Sequence, residues 1–315
     1  MILITGGAGF IGSNFVKYFT NQTTTPVVVV DNLTYASDLN YLDGLKIEFV
    51  KADISDGNQM DEVFEKYKVQ QIINFAAESH VDRSIYDPSS FIQSNIVGTV
   101  NLLNKSLLYG VDRFVQISTD EVFGEVENSW FYEGSKIQPR NPYSASKASA
   151  EHFVNAYNNT YGLPTIIINS SNNYGPHQFP EKLIPLTIKN LLQGKKVPVY
   201  GDGKQIRDWL YVEDNCEIIY KIWEDGLDGE RYCVGGEMEI ANIDLVKLII
   251  KKLGLGEDMI EYVKDRPGHD KRYATDISKV KEDFGWEPKT SLDEGLDKTI
   301  KWVKEYEDRI QLQLF

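Results

Sequence analysis

Met1-Ile2-Leu3-Ile4-Thr5-Gly6-Gly7-Ala8-Gly9-Phe10-Ile11-Gly12 opens the chain, and its reading decides the fold. A short apolar run gives way to glycines at 6, 9 and 12. A segment follows with Ile11, Phe15, Tyr18 and Phe19 on one helical face. Strand, glycine turn and helix are the context that a dinucleotide-binding fingerprint requires. The glycines let the backbone approach a pyrophosphate, which sits at the helix N-terminus. Pro26 then precedes Val27-Val28-Val29-Val30, which reads as a buried parallel strand ending at Asp31, 19 positions beyond Gly12. An acid at that distance accepts hydrogen bonds from the adenosine ribose hydroxyls. Its charge repels a 2′-phosphate, so NAD is expected rather than NADP.

Working outward, the alternation continues. Ile47 to Val50 reads as a third strand, followed by Asp53 and Ile54. Asp53 fits either a contact to the adenine amino group or an ordinary turn. Glu62 to Tyr67 reads as helix and Gln71 to Ala77 as a fourth strand, whose small residues Ala76 and Ala77 leave room for a cofactor. His80 reads as a hydrogen-bonded structural histidine, with a base or metal ligand as the alternative; no metal site is expected. A long helix is expected from Pro88 to Tyr109, with Asn95 and Gly98 inside it, and a fifth strand from Phe114 to Ser118. Pro142 suits the start of a helix running to about Tyr161. Thr165 to Asn169 reads as a sixth strand.

Strand and helix in alternation imply a parallel sheet with right-handed crossovers. The expected class is α/β: a Rossmann-type doubly wound parallel sheet over residues 1–170, with a smaller C-terminal α/β substrate-binding domain over 171–315. Residues 205–230 or so are expected to return to the first domain. Ligands then bind beyond the strand ends, where Gly12, Asp31, Asp53, Ala77 and Thr119 fall. In the second part, Leu183 to Leu192 reads as helix, Val197 to Tyr200 as extended, Arg207 to Val212 as strand and Glu213 to Glu224 as helix. Asn242 is expected to cap a helix reaching Leu253, and Leu292 to Tyr306 reads as amphipathic helix. The closing Leu312, Leu314 and Phe315 fit either an interface or a frayed end.

Two clusters carry the chemistry. Ile117-Ser118-Thr119-Asp120-Glu121 puts a hydroxyl and two adjacent carboxyls just past an apolar run. Tyr143 and Lys147 stand four apart, on one helical face. An ammonium near a phenol favours the phenolate, so Tyr143 is expected to have a lowered pKa and to act as a base. Asp120 and Glu121 form a candidate acid/base pair.

Composition narrows the partners. With 315 residues, 42% of them hydrophobic, the chain is long enough to bury a substantial core. A net charge of −14 argues against general attraction to nucleic acid or anionic lipid. An anionic substrate must therefore meet local Arg and Lys. No apolar run reaches the roughly 20 residues of a membrane span. Met1 leads straight into a strand, with no targeting segment, so a cytoplasmic location is expected. Cys216 and Cys233 read as buried reduced thiols.

On these residues the chain resembles the extended short-chain dehydrogenase/reductase family. The general marks are the glycine pattern and Tyr143 with Lys147. Four stretches are more specific: Ala76 to Ser84, Ser118 to Val122, Ser171-Asn172-Asn173-Tyr174-Gly175-Pro176, and Arg266 to Asp270. Within the family they look most like the nucleotide-sugar 4,6-dehydratases that act on dTDP-glucose. The resemblance implies oxidation at sugar carbon 4 by NAD, with Tyr143 as base, Lys147 as its partner and Thr119 on the same hydroxyl. Glu121 then removes the carbon 5 proton, a protonated Asp120 releases the 6-hydroxyl as water, and hydride returns to carbon 6. It further implies that Gly6, Gly9, Phe10, Ile11, Gly12, Asp31, Asn32, Asp53, Ile54, Phe75, Ala76, Ala77, Ser94, Ser118, Tyr143, Lys147 and Asn173 bind NAD. Ser79, Thr119 and Asn172 would face the sugar, and Lys182, Leu183, Pro198 and Tyr200 would frame the nucleotide. Arg207, Asn242, His269 and Tyr273 would reach the diphosphate and base, Arg207 suiting a bidentate phosphate contact. A homodimer through a four-helix bundle is implied as well. Phe123 and His177 depart from the family pattern. Related 4-epimerases share the general marks but lack the Asp-Glu pair, so an epimerase is the alternative. A catalytically silent NAD-binding regulator is the reading outside enzymes. Thymine, uracil and cytosine remain open for the base.

Overall fold

A computed structural model describes residues 1–313, with side chains described through Tyr306; Leu314, Phe315 and the side chain of Leu312 lie outside the described residues. The first six strands are β1 (Ile2–Thr5), β2 (Val27–Asp31), β3 (Glu48–Lys51), β4 (Gln71–Asn74), β5 (Arg113–Thr119) and β6 (Thr165–Ser170). Those that follow are β7 (Asn172–Tyr174), β8 (Val197–Tyr200), β9 (Ile206–Tyr211), β10 (Arg231–Val234), β11 (Glu239–Ala241) and β12 (Ile260–Val263). One seven-stranded sheet has the order β10-β6-β5-β4-β1-β2-β3, with every neighbouring pair parallel. The order reverses between β1 and β4, the place where such sheets open a crevice for a ligand.

The apolar runs explain the layering. A strand buried on both faces sends alternate residues to opposite sides. Ile2, Ile4, Val27 and Val29 join the core under the helix Phe10–Gln22, while Leu3, Val28 and Val30 join the core on the other face. A third core gathers Trp209, Tyr211, Ile188, Val246 and Leu296 around the smaller sheet β11-β9-β7. Cys216 and Cys233 are buried and unpaired.

Several expectations need adjusting. The long helix after Pro88 is built in three parts. Ser89–Phe91 continues through Ile92–Gly98, a segment of π type, into Thr99–Tyr109. The helix around residue 242 starts one residue earlier than a cap at Asn242 would allow. Ala241 is its cap residue, Asn242 is the first helical residue, and the Asn242 Oδ1 is buried without a partner. The segment that returns to the first sheet also runs further than residue 230. The helix Val212–Asp225 packs on Phe10–Gln22, with the Phe19 and Trp223 rings 4.9 Å apart. β10 then completes the sheet edge beside β6.

A buried polar network locks that edge. Glu151, with no exposure, lies on the helix Pro142–Tyr161. Its carboxylate accepts from Asn169 Nδ2 at 2.7 Å, from Arg231 Nη1 at 2.7 Å and from the Ser118 hydroxyl. Arg231 Nη1 also donates to Asn169 Oδ1 at 2.6 Å. Removing one partner of a buried pair strands the other. Glu151→Ala is therefore expected to lose roughly 3–5 kcal/mol in urea unfolding, with part recovered when Arg231→Met is added. Equal unfolding midpoints for parent and Glu151→Ala would refute the assignment.

Candidate active site

A cavity of about 380 Å³ opens along the C-terminal ends of β1, β2, β4 and β5. Its walls include Gly6, Gly9, Phe10, Ile11 and Gly12 from the glycine turn, and Asp31, Asn32, Asp53 and Ile54 from the ends of β2 and β3. Phe75, Ala76 and Ala77 come from the end of β4, Ser94 from the π segment, and Ser118, Tyr143 and Lys147 from the far end. Sixteen of the seventeen residues assigned to the cofactor from sequence line this one cavity. Asn173 does not. Its amide donates to Ser171 O at 3.0 Å, and its own carbonyl accepts from Gln178, which does line the wall.

The glycine turn has the shape a pyrophosphate needs. Gly6 sits at φ +67°, and a Cβ there would lie 2.6 Å from Ala76 N. A Cβ on Gly12 would lie 2.1 Å from Gly6 O. Neither position admits a side chain, so bare backbone faces the cavity at the start of the helix Phe10–Gln22. Asp31 is held by Ala8 N–H at 3.0 Å and Leu33 N–H at 2.8 Å. Asp53 takes the turn setting and also lines the cavity. One oxygen closes a turn onto Ser55, and the other accepts from Asn32 Nδ2 at 2.9 Å in the cavity wall.

The local folding of the far end is set by caps. Asn141 and Ser144 form a reciprocal capping box that starts the helix Pro142–Tyr161. Ser84 Oγ accepts from Tyr143 N at 3.1 Å. Thr119 caps the short turn Asp120–Phe123, and its hydroxyl donates to Asp120 Oδ1 at 3.3 Å. Lys147 Nζ donates to Ile117 O at 2.6 Å, anchoring the helix to β5.

Comparison with known proteins agrees with this layout. Residues 3–299 match the family model described as GDP-mannose 4,6 dehydratase. The dTDP-glucose 4,6-dehydratase of Neisseria meningitidis serogroup B is 49% identical, over 96% of this chain and 92% of that protein. DesIV of Streptomyces venezuelae, a dTDP-glucose 4,6-dehydratase solved with NAD and TYD bound, superimposes with a TM-score of 0.95. It is 40% identical, with 98% of each chain covered. The chain belongs to the GDP-mannose 4,6-dehydratase family. A UDP-glucose 4-epimerase of Thermotoga maritima has the same fold at 32% identity and a TM-score of 0.91, covering 97% of this chain and 99% of that one.

What marks this family member is the state of its carboxyls. Asp120 is 1% exposed, and its Oδ2 is buried without a partner. Burial raises its pKa well above the ordinary 3.8, and the carboxylates of Glu121 and Asp208 raise it further, against the opposing pull of Arg207. Asp208 is itself fixed by Gly236 N–H at 3.0 Å and Met238 N–H at 2.8 Å. Asp120 therefore holds its proton more tightly than an ordinary carboxyl does, the direction that an acid at this place needs. The expectation for Tyr143 is corrected. Burial pushes its phenol above the usual 10, Glu121 pushes it further, and Thr119 only partly opposes this. Lys147 does not offset that burial. Its own ammonium is pulled down to about 8 by desolvation, partly countered by Glu151.

The residues assigned to substrate fall into two groups. Ser79 and Lys182 line the cavity, with Lys182 Nζ donating to Ser79 O at 2.6 Å. Thr119, Arg207 and Tyr273 gather around Asp120 and Glu121. The Arg207 guanidinium lies 4.2 Å over the Tyr273 ring, and its two Nη atoms donate to Ile206 O and Asp270 O. Those bonds already occupy part of the fork that a bidentate phosphate contact would use. Further out, Tyr200 OH donates to Asp82 at 3.0 Å and lies edge-on to His269. Pro198 pairs across β8 and β12, Leu183 opens the helix Leu183–Leu192, and the Oδ1 atoms of Asn172 and Asn242 are buried and unpartnered. Sequence reasoning missed Glu78, Gln178 and Glu181, which line the cavity. Glu78 and Glu181 each sit one residue from an assigned position, which was the available signal. His80 Nδ1 accepts from Arg83 N at the start of a helix, the structural reading. His177 stacks on Tyr41 with centroids 4.0 Å apart.

A carboxyl with a higher pKa in the native state binds its proton more tightly there. Stability therefore declines as pH climbs past the unfolded value of 3.8. Asp120→Asn should cancel that decline, melting above the parent at pH 7 and level with it near pH 4. Parallel melting curves across that range would contradict a buried neutral Asp120.

Proposed function

We propose that this chain is an NAD-dependent lyase that converts dTDP-glucose to dTDP-4-keto-6-deoxyglucose and water. The observation that carries this reading is the buried Asp120, its pKa raised by burial and by Glu121, beside Glu121 and Thr119. Elimination across carbons 5 and 6 needs a base and an acid at one place, and two neighbouring carboxyls in unequal surroundings supply both. An epimerase has no use for the second carboxyl.

The glycine turn and its neighbours fit NAD. Gly6, Gly9 and Gly12 with the helix N-terminus would hold the pyrophosphate, Asp31 the ribose, Asp53 and Ile54 the adenine end, and Ser118, Tyr143 and Lys147 the nicotinamide end. When bound, NAD supplies a hydride acceptor that takes hydride from carbon 4 and returns it to carbon 6. The chain's own residues handle the protons. Tyr143, steadied by Ser84 and Thr119, exchanges the proton of the sugar 4-hydroxyl, while Lys147 fixes its helix against β5. Once carbon 4 is a ketone, Glu121 takes the proton from carbon 5 and Asp120 gives its proton to the departing 6-hydroxyl. Arg207, Tyr273 and Lys182 supply positive charge and stacking for the nucleotide diphosphate.

In this reading residues 1–170 serve mainly the cofactor and the remainder the substrate, apart from the returning helix and strand. Exposed apolar residues on two neighbouring helical stretches favour a homodimer through a four-helix bundle: Ile92, Val97 and Leu108 on one, Phe153 and Tyr161 on the other. Among the described residues no helix is long and apolar enough to cross a membrane.

The test is a product assay with dTDP-glucose and UDP-glucose in separate reactions. Alkali treatment of a 4-keto-6-deoxy product gives near-ultraviolet absorbance. The signal is expected with dTDP-glucose, reduced roughly 10²- to 10⁴-fold in Asp120→Asn and Glu121→Gln. Appearance of the galactose isomer, with no absorbance from either sugar, would replace this reading with the epimerase.

A further inference from the structure

Three segments far apart in sequence touch one another at the outer wall of the cavity. Thr34, Ala36 and Ser37 line it from the loop after β2, and Phe179, Glu181 and Lys182 from the loop after β7. Tyr35, between the first set, is 37% exposed and points across to the second. Its hydroxyl donates to Glu181 Oε1 at 2.9 Å, and its ring meets Phe179 edge-on at 5.3 Å. Arg83, from the helix Val81–Tyr86, lies 3.6 Å over the same ring and places Nη2 3.7 Å from Glu181 Oε2. His80 Nε2 adds a contact to Glu181 at 3.5 Å, and Lys182 ties back to Ser79 O. One aromatic ring is thus held by a cation over its face, by an edge-on ring and at its tip, by side chains from two other segments.

We propose that Tyr35, Arg83 and Glu181 form a clasp that retains NAD in the cavity between turnovers. The inference rests on the NAD reading above. A lyase that reduces and reoxidises the same cofactor in every cycle has no reason to release it, and a strap over the cavity wall is the device that slows release. The clasp has no covalent or proton-transfer role. Its members are positioning residues: they join the loop after β2 to the loop after β7, so the cofactor leaves only when that junction opens. The contacts are a part-exposed cation–π pair and one charge-assisted hydrogen bond, weak enough to open for loading yet enough to shift the release rate.

The experiment measures cofactor retention directly. Purified parent, Tyr35→Phe, Tyr35→Ala and Arg83→Gln proteins are assayed for NAD released on denaturation. The dissociation rate follows from chasing with an excess of labelled NAD. Loss of one hydrogen bond and one cation–π contact predicts NAD release about 10- to 30-fold faster in Tyr35→Ala, with Tyr35→Phe and Arg83→Gln in between. Turnover by Tyr35→Ala should then depend on added NAD after dialysis, while the parent's does not. Tyr35→Phe keeps the ring and its packing, so the comparison survives if Tyr35→Ala folds poorly. Equal dissociation rates in parent and variants would overturn the clasp and leave the NAD reading standing. A parent that neither carries nor binds NAD would overturn both.

Discussion

A single carboxylate with no access to water holds the catalytic end of this molecule together. Glu151 collects hydrogen bonds from β5 through Ser118, from β6 through Asn169 and from β10 through Arg231, while its backbone belongs to the helix bearing Tyr143 and Lys147. Asn169 extends the network by donating to Thr119 O at 2.9 Å. Desolvating such a group is costly, and only complete pairing offsets the cost. That requirement permits one register between helix and sheet. The relative placement of Thr119, Tyr143 and Lys147 follows from it. Glu151 sits one turn beyond Lys147 on the same helix, so its charge also bears on how far burial can depress the lysine.

The site beyond that anchor shows why burial, rather than pairing, decides protonation. Asp120 and Tyr143 both hold their protons more tightly than usual because each is removed from water and faces other carboxylates. Lys147 sits close to losing its own for the same reason of burial. A charged residue four positions along a helix would tune Tyr143 strongly only if its charge were directed at the phenol. Here the ammonium is spent on a backbone carbonyl instead.

Most of the large sheet was legible because its strands are apolar runs bounded by glycine, proline or a helix start. Val27 to Asp31 and Thr165 to Ser170 are of this kind, as is the helix Leu183–Leu192. The lining of the cavity was legible because strand ends in an alternating fold converge by topology alone. β10 escaped because Arg231-Tyr232-Cys233-Val234 is short and opens with a charge, whose partner Glu151 is distant in sequence. β11 has three residues and β12 carries Glu261 in its middle, so neither has a strong period. The Ala241 cap and the π segment depend on backbone geometry that residue types do not encode strongly. The Tyr35–Arg83–Glu181 contacts join two loops and a short helix distant in sequence, and such proximity leaves no local pattern.

The strand Arg231–Val234, drawn from late in the chain to finish a sheet begun at Ile2, has a consequence for biosynthesis. While the chain is being made, β6 emerges with its outer edge unpaired, and it stays so until β7 to β9 and the helix Val212–Asp225 have also been made. An unsatisfied parallel edge is a template for pairing with other chains. The two halves of the molecule therefore share one sheet. A fragment ending after β6 would carry that edge open.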